Sequence, residues 1–361
     1  MDLNNRIQTF IALGKTLAGF PGGVTDGSSH PLAEAVLKAE AANPWFTQAN
    51  IGHALTAIGQ SMTATSLNEW LLPYADLFQR PGRPYKTVGV VMAGNIPLAG
   101  FHDFLSVLIC GHRIMVKLSS QDDILIPAMA RLMSDTDERW NEMLEFTKEP
   151  FKKFDAIIAT GSDNTFRYFD YYFNQYPHLI RRNRNSIAVL TSEETNSDLK
   201  GLADDIMMYF GLGCRNVSKI YIPHGYDLNV LQPYIREYEG IEFHNKYRNN
   251  YDYQKSILLV NKKPFTDFGK LLLVEDQRIP SPVSVIHVER YGDPAEPARL
   301  IRTSSGLIQC VVCHKDPGVP FVLPGTAQKP ALPDYADGAD TLKFLLDEIY
   351  TKNICDSNKN L

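Results

Sequence analysis

The chain has 361 residues, of which 44% are hydrophobic and 21% are charged, and its formal net charge is −5. This composition is that of a folded globular protein and argues against disorder or fibrous structure. At about 100–200 residues per domain, the length predicts two domains. The 36 basic and 41 acidic residues form no long blocks of one sign, so nothing indicates binding to nucleic acid or to an anionic membrane surface.

The N-terminal residues contain no basic segment followed by an apolar core, so we expect no secretory signal peptide and a cytoplasmic protein. The most apolar region, 88–116, is interrupted by polar residues and by Pro97. No run therefore reaches the roughly 18 apolar residues that a membrane helix needs. Five cysteines in a chain without an export signal indicate reduced thiols, at least one of which could be chemically active.

Residues 1–80 predict helices, which end at the breaker Pro81-Gly82-Arg83-Pro84. From Thr87 onwards, short apolar runs alternate with amphipathic stretches. Buried strands are predicted at Val88–Met92, Ile114–Leu118 and Ala156–Thr160, with helices near 97–110 and 122–134. This βαβ pattern predicts an α/β fold with a parallel, doubly wound sheet.

A second α/β unit follows. Its predicted strands are Ile187–Leu190, Lys219–Ile222, Ile257–Val260, Val283–Val288 and Leu307–Val312, and its predicted helices are 197–211, 227–238, 265–273 and 294–303. The polar segment 181–185 lies between the two sets. We therefore predict a helical N-terminal segment with a dinucleotide-binding domain over 1–183, and a catalytic domain with a C-terminal tail over 184–361.

Cys214 is the first candidate for chemistry, because it lies in a glycine-flanked turn between a predicted helix and a predicted strand. A substrate can approach a thiol closely in such a turn, and backbone N–H groups there can lower the pKa of the thiol or bind an oxyanion. The alternative is that Cys214 is a small buried apolar residue.

Asn95 is the second candidate, in a strand-Gly-Asn-x-Pro turn that leads into a helix. Ligands bind at the carboxyl ends of strands in open α/β sheets, so the Asn95 amide could donate to an oxyanion there. The alternative is a turn asparagine whose amide satisfies its own backbone.

Two further strand ends could bind a cofactor. Lys117, Ser119 and Ser120 follow the second predicted strand and could hold ribose hydroxyls or a phosphate, although Ser120 could equally cap the next helix. Gly161 and Ser162 follow the third strand and open a helix, which suits a pyrophosphate. No G-x-G-x-x-G sequence follows any predicted strand, so the usual dinucleotide fingerprint is absent.

The Cys310-x-x-Cys313-His314 sequence matches a pattern for covalent haem attachment. We discount it because it continues an apolar strand, on which residues three apart point to opposite faces. No second Cys or His pair has zinc-ligand spacing, so no metal is expected.

Taken in order, these turns resemble those of the aldehyde dehydrogenase superfamily, and most closely its acyl-CoA reductase branch, which includes the fatty-acyl reductase of bacterial luminescence. The matching segments are Gly94-Asn95-Ile96-Pro97, Lys117-Leu118-Ser119-Ser120, Gly161-Ser162 and Phe210-Gly211-Leu212-Gly213-Cys214, with a weaker echo at Pro280-Ser281-Pro282-Val283. The resemblance covers roughly residues 85–320, and the motifs are individually degenerate but occur in the family's order.

The resemblance implies a Rossmann-type dinucleotide-binding domain, a catalytic domain, and specific roles. Cys214 would be the nucleophile, and Asn95 with the Cys214 backbone N–H would form the oxyanion hole. The cofactor NAD(P)H would bind at Ala93, Lys117, Ser119, Ser120, Gly161 and Ser162. A homodimer is expected by family analogy, and an acyl-transferring partner protein is left open.

Two departures from the family pattern refine the expected reaction and cofactor. The carboxylate that activates water in aldehyde-oxidising members is absent from the corresponding stretch, Ile180-Arg181-Arg182-Asn183, which favours reduction of an acyl thioester over oxidation of an aldehyde. Its arginines could instead neutralise phosphates of coenzyme A or form an exposed basic face. Ser119 and Ser120 stand where relatives that prefer NAD often have a glutamate, which favours NADPH over NADH.

The late glutamate of the family falls near Arg278, so no ribose contact is carried over there. The sequence thus predicts an NAD(P)H-dependent acyl-CoA or acyl-thioester reductase, with a fatty acyl group as the expected substrate. The alternatives are a related reductase of an acyl phosphate and a binding protein that keeps the fold without catalysis.

Overall fold

The computed structural model describes residues 1–25, 27–161 and 172–351. The chain divides into two units, of which the first is Met1–Asn183 with the described part of Ala331–Leu361 and the second is Arg184–Pro330. The C-terminal tail was predicted to belong to the second domain, and that assignment is wrong. The Tyr335 hydroxyl accepts a hydrogen bond from Trp70 Nε1 at 2.8 Å, and the Leu345 carbonyl contacts His112 Nε2 at 3.0 Å. These contacts join residues more than 230 positions apart, so no local pattern could reveal them.

The N-terminal region is helical, as predicted. The helices are α1 (Leu3–Ala18), α2 (Ala33–Ala42), α3 (Gln48–Ser61), α4 (Ala64–Leu71) and α5 (Ala75–Gln79), with a 3-10 turn at Leu72–Tyr74. Asp2, Thr47 and Thr63 cap α1, α3 and α4 by accepting hydrogen bonds from backbone N–H groups three residues later. Within the described residues, no helix has both the length and the apolar composition needed to cross a membrane.

The first sheet is doubly wound, as predicted. Its strands are β1 (Thr87–Val91), β2 (Arg113–Lys117), β3 (Leu144–Thr147), β4 (Ala156–Thr160) and β5 (His178–Arg181), and its helices include α6 (Phe101–Ile109) and α7 (Leu125–Thr136). The order is β3-β2-β1-β4-β5, and every neighbouring pair is parallel. The strand order therefore reverses between β1 and β4, which is where ligands bind in folds of this type.

The second unit contains a mixed sheet. Its elements are β6 (Asn185–Val189), α8 (Asn196–Met207), β7 (Val217–Pro223), α9 (Gln232–Arg236), α10 (Asn245–Val260), β8 (Thr266–Asp267), β9 (Leu272–Glu275), β10 (Val285–Tyr291), α11 (Glu296–Thr303) and β11 (Ile308–Val312). The order is β11-β6-β7-β10-β9-β8, and only the short β8 runs antiparallel to its neighbour among these described strands. The strands of this sheet contribute Ile187, Tyr221 and Val311 to a buried apolar cluster.

Two predicted elements in this unit are wrong, and two strands of the first sheet were missed. The apolar run Ile257–Val260 is the end of α10 rather than a strand, since Tyr247, Tyr251 and Leu258 are buried at helical spacing. A run of four apolar residues fits either structure, so its periodicity could not decide between them. The predicted helix at 265–273 is instead β8 and β9. The missed strands, β3 and β5, lie at the two edges of the first sheet, where their sequences are less apolar.

Candidate functional site

Cys214 lies at the corner of a tight turn that leads into β7. The Gly213 carbonyl accepts a hydrogen bond from the Asn216 backbone N–H at 3.0 Å, and the Asn216 side-chain Oδ1 accepts one from the Gly213 N–H at 2.8 Å. The two bonds close the turn in both directions, with Cys214 and Arg215 as its central residues. The Cys214 side chain is half-buried, which suits a thiol that a substrate must reach.

The three residues Tyr209, Phe210 and Gly211, just before this turn, have a left-handed backbone. Their φ angles are 52°, 59° and 73°. For residues other than glycine this conformation costs roughly 1–2 kcal/mol each, so the surrounding structure must hold it in place. The Phe210 ring packs against His244 at a centroid distance of 4.3 Å and against Tyr247 at 5.8 Å. The chain segment just before the Cys214 turn is thus strained and is held in place by aromatic packing.

Two polar side chains tie the turn to its surroundings. Asn216 Nδ2 donates to the Met208 carbonyl at 2.8 Å and to the Asp205 carbonyl at 3.0 Å, at the C-terminal end of α8. The Ser186 hydroxyl, on β6, donates to the Cys214 carbonyl at 3.0 Å. These bonds fix the Cys214 backbone relative to both a helix and a strand.

The other described cysteines have environments that disfavour the thiolate. Burial raises the pKa of Cys110 and of Cys313, and it raises the pKa of Cys310 to about 11, although the nearby Arg215 guanidinium partly offsets the effect. Cys355 lies outside the described residues. Because the thiolate is the nucleophilic form, these three thiols are poor candidates for catalysis.

Asp205 connects the same helix to a loop beyond β11. Its carboxylate accepts hydrogen bonds from the backbone N–H groups of Gly325 at 2.7 Å and Ala327 at 3.2 Å. Burial nevertheless raises the pKa of Asp205 to about 7, since the loss of hydration outweighs these bonds. Gly201, one helical turn earlier, lies so close to Pro324 that an added Cβ would be 2.6 Å from the Pro324 carbonyl carbon.

The predicted cofactor residues lie at the carboxyl edge of the first sheet. Val91 is in register with Lys117 on one side and with Ala159 on the other, so the ends of β1, β2 and β4 are level. Ala93 follows β1, and Gly161, after β4, donates its N–H to the Arg181 carbonyl at 3.4 Å. Ser162 lies outside the described residues. The described members of this set therefore come together at one edge.

The loops after β1 and β2 pack directly against each other. A Cβ added to Gly94 would lie 2.5 Å from Ser119 Oγ, so only glycine fits beside that serine. The Asp122 carboxylate accepts the Leu98 N–H at 2.8 Å and supports the left-handed backbone of Leu98, whose φ is 62°. Burial raises the pKa of Asp122 to about 6. Asn95 and Ser120 are exposed at this edge.

Arg181 is buried, which contradicts both roles that the sequence left open for its side chain: neutralising phosphates of coenzyme A and forming an exposed basic face. Its guanidinium donates to the Asp103 carboxylate at 2.8 Å and to the Thr341 hydroxyl at 2.7 Å, and both side chains of the ion pair are about 95% buried. It therefore neither faces a coenzyme A phosphate nor forms an exposed basic face. Arg278, at the place of the family's late glutamate, is exposed and pairs with Asp276.

Comparison with known proteins places the chain in a family. The model of the family described as "Acyl-CoA reductase (LuxC)" matches residues 26–231, more than half of the chain. The chain belongs to the LuxC acyl-CoA reductase family. Two similar curated relatives are the long-chain acyl-protein thioester reductase 2 of Photobacterium leiognathi, 23% identical over 173 residues, and the long-chain acyl-protein thioester reductase of Photorhabdus laumondii, 23% identical over 170 residues. Each match spans 43% of this chain but only 35% of the relative.

Solved structures show that this LuxC family member has the aldehyde dehydrogenase fold. The aldehyde dehydrogenase KauB from Pseudomonas aeruginosa has a TM-score of 0.61 at 11% identity, covering 87% of this chain and 77% of that one. An NAD+ complex of an aldehyde dehydrogenase from Bacillus cereus has a TM-score of 0.57 at 12% identity, covering 87% of this chain and 72% of that one. The predicted resemblance and fold class are confirmed, whereas the individual site residues stay predictions.

Sequence reasoning missed the residues that hold the nucleophile turn. Asn216 stands in the glycine-rich segment that drew attention to Cys214, and an asparagine side chain at a turn often bonds nearby backbone groups, which is a usable local signal. Ser186 precedes Cys214 by 28 residues and Asp205 bonds residues 120 or more positions away, so neither contact has a local signal.

Proposed function

We propose that this LuxC family member reduces a long-chain acyl thioester, such as an acyl-CoA, to the aldehyde with NADPH, through an acyl group held on Cys214. The observation that carries the proposal is the geometry of the Cys214 turn. The turn is closed by two hydrogen bonds and tied to a helix and a strand, while the three other described thiols have their pKa raised by burial. The relatives named as long-chain acyl-protein thioester reductases support the choice of substrate class.

The proposed chemistry begins with Cys214. Its thiolate attacks the carbonyl carbon of the acyl thioester, a new carbon–sulfur bond forms, and the carrier leaves as a thiolate that takes up a proton. NADPH, when bound, supplies the hydride that reduces the acyl group. Release of the aldehyde returns the Cys214 thiolate, so one acyl thioester, one NADPH and one proton give one aldehyde, one free carrier thiol and one NADP+. Asn95 and the Cys214 N–H remain the proposed donors to the oxyanion, by family resemblance.

The surroundings of Arg181 support reduction rather than hydrolysis of the acyl group. An aldehyde-oxidising enzyme needs a carboxylate to activate water, and the family resemblance puts that carboxylate in the stretch that contains Arg181. The carboxylate that the structure shows beside it, Asp103, is buried and paired with the Arg181 guanidinium, so it is not available as a base. We therefore propose that the acyl group on Cys214 survives until it is reduced.

The carboxyl edge of the first sheet fits a dinucleotide cofactor. The ends of β1, β2 and β4 are level where the strand order reverses, and Ala93, Lys117, Ser119, Ser120 and Gly161 would hold the cofactor there. The first carboxylate after Lys117 is Asp122, which is buried and bonded to the Leu98 N–H. The next carboxylate, Asp123, is partly exposed but lies 3.7 Å from Lys148 Nζ, which offsets its charge. Neither carboxylate is therefore free to repel a 2′-phosphate, which favours NADPH over NADH.

The test uses the full chain and a panel of acyl-CoAs without any cofactor. Intact mass spectrometry should show one acyl adduct on the wild-type protein, peptide mapping should place it on Cys214, and the Cys214→Ala variant should show none. Cys310→Ala is the matched control, because it removes a neighbouring thiol and should leave the adduct unchanged. An adduct that persists in Cys214→Ala would overturn the nucleophile assignment.

The cofactor is tested separately from the nucleophile. With acyl-CoA present, NADPH should be oxidised with release of an equal amount of free coenzyme A, and the efficiency with NADH should be lower. Equal efficiency with the two cofactors would refute the argument from Ser119 and Ser120. Steady oxidation of an aldehyde to free acid by the purified protein would contradict the reductive assignment.

The proposal also covers the location of the protein, its oligomeric state and the carrier of the acyl group. We propose a cytoplasmic location on the basis of the composition and the cysteine content, and a homodimer by family analogy. The acyl group could arrive on coenzyme A or on an acyl-transferring protein. Presenting the same acyl chain on both carriers, and comparing the rate of adduct formation on Cys214, distinguishes the two sources.

A further inference from the structure

We propose that Asn216 is the positioning residue of the nucleophile, in that its side-chain amide holds the Cys214 thiol where an acyl thioester can be attacked. The inference rests on the proposed function of Cys214 and assigns a role to a residue that the sequence left without one. Asn216 is 98% buried and lies at the fourth position of the turn, two residues after Cys214.

The amide of Asn216 uses both of its ends. Oδ1 accepts the Gly213 N–H at 2.8 Å, across the turn from its own backbone N–H, which donates to the Gly213 carbonyl. Nδ2 donates to the Met208 carbonyl at 2.8 Å and to the Asp205 carbonyl at 3.0 Å. One side chain thus joins the end of α8, the start of the strained segment and the first residue of the Cys214 turn.

This arrangement does more than satisfy helix-end carbonyls. A cap needs only the two bonds from Nδ2, whereas the bond to Gly213 fixes the residue immediately before the nucleophile. The left-handed Tyr209 and Phe210 are strained between these two sets of bonds, so loss of one set allows the segment to relax and the thiol to move. Reaction rates are sensitive to such movement, because a displacement of about 1 Å can cost roughly a hundredfold.

Asn216→Asp is the informative variant. It has the same shape and keeps an oxygen for the Gly213 N–H, but it replaces the amide that donates to Met208 and Asp205 with an oxygen that repels their carbonyls. Asn216→Ala removes every side-chain bond at once. The matched control is Asn50→Asp in the first unit, because Asn50 is also more than 90% buried and its amide donates to a backbone carbonyl, that of Trp45.

The experiment measures acylation of Cys214 by rapid quenching and intact mass spectrometry, with a long-chain acyl-CoA and no NADPH. Three quantities are obtained. The amplitude gives the fraction of molecules that can be acylated. The other two are the acylation rate constant at saturating acyl-CoA and the acyl-CoA concentration at half-saturation. A positioning role predicts a rate constant lowered by about a hundredfold in both Asn216 variants, with half-saturation changed by less than about threefold. Asn50→Asp should keep the wild-type rate constant.

A purely structural role for Asn216 predicts a different result. It lowers the amplitude in proportion to the unfolded fraction and leaves the rate constant of the folded molecules unchanged, and that outcome would overturn the inference. If the Asn216 variants are too unstable for acylation at 25 °C, the same rate constant is measured at 10 °C, where an unchanged value again counts against the inference. Failure of the proposed function is distinct, since the wild-type protein would then form no adduct on Cys214.

Discussion

Ser186 binds the backbone of the nucleophile itself. Its hydroxyl donates to the Cys214 carbonyl at 3.0 Å and accepts the Cys310 N–H at 3.2 Å. We predict that Ser186→Ala lowers the free energy of unfolding by about 1–3 kcal/mol, because buried groups lose their partner, and also slows acylation of Cys214. Ser218→Ala is the control, since Ser218 is a buried serine of the same sheet that donates to the Ser186 and Ile279 carbonyls. Denaturant unfolding should show a loss in both variants, and equal slowing of acylation in both would contradict the assignment.

Asp205 should make the stability of the protein depend on pH. Its pKa is raised to about 7 in the folded state from an ordinary value of 3.8, so between these pH values the folded state holds a proton that the unfolded state releases. The stability contribution of this group is therefore complete below pH 3.8 and is lost as the pH rises towards 7.

The comparison that isolates this effect is between the wild type and Asp205→Asn, by urea unfolding at several pH values. The wild type should gain stability relative to the variant as the pH falls from 7.5 to 5. A difference in unfolding free energy that stays constant with pH would contradict the raised pKa. The comparison is needed because other carboxylates, with lowered pKa values, destabilise the wild type and the variant alike in acid.

The sequence revealed the candidate residues that have a local signature. Cys214 between glycines and Asn95 in a Gly-Asn-x-Pro turn are visible because turn chemistry acts over a few residues. The contacts that hold these residues could not be predicted. Ser186 reaches the Cys214 carbonyl only after β6 and β7 have paired, and a neutral serine in a strand carries no mark of its partner.

At the scale of elements, most parallel strands with strong apolar runs were predicted to within three residues at each end, because burial on both faces leaves a continuous apolar run. Ala156–Thr160 agrees with β4 at both ends. Three errors fall where that signal is weak: at the edge strands β3 and β5, and at the end of α10, where a short apolar run fits two structures. The strand β9 is different, because its apolar run is clear and it was nevertheless predicted as part of a helix. Tertiary packing decided these cases.

The contact between the loops after β1 and β2 gives a prediction for cofactor binding. Gly94→Ala places a Cβ 2.5 Å from Ser119 Oγ and 3.2 Å from the Asp122 backbone nitrogen, so the loop that carries Ser119 and Ser120 must shift. We expect the KM for NADPH to rise by about tenfold, a larger change than any change in the rate of Cys214 acylation without cofactor. Gly306→Ala is the control, because nothing lies within 4 Å of a Cβ added there. Loss of acylation with an unchanged KM would contradict the placement of the cofactor.

At the scale of the whole molecule, the chain leaves its first unit at Asn183 and returns to it at Ala331. The polar segment 181–185, which separates two runs of α/β pattern, contains the first crossing. The sequence could not locate the return, because residues 331–351 have no repeat or motif that assigns them to one sheet or the other. Their membership depends on individual contacts, such as the Thr341 hydroxyl on the buried Arg181 guanidinium.

Leu345 tests this membership. Its side chain is fully buried and its carbonyl contacts His112 Nε2, both in the first unit. Leu345→Ala should lower the unfolding free energy of that unit by about 2–5 kcal/mol, because it removes buried apolar atoms and leaves a cavity. In hydrogen exchange followed by mass spectrometry, the amides of β1 and β4 should then exchange faster than in the wild type. Leu323→Ala, at an exposed leucine of the second unit, should change the stability by less than about 0.5 kcal/mol. If Leu345→Ala instead accelerated exchange in β7 and β10 and left β1 and β4 unchanged, the C-terminal segment would belong with the second sheet, as the sequence alone had suggested.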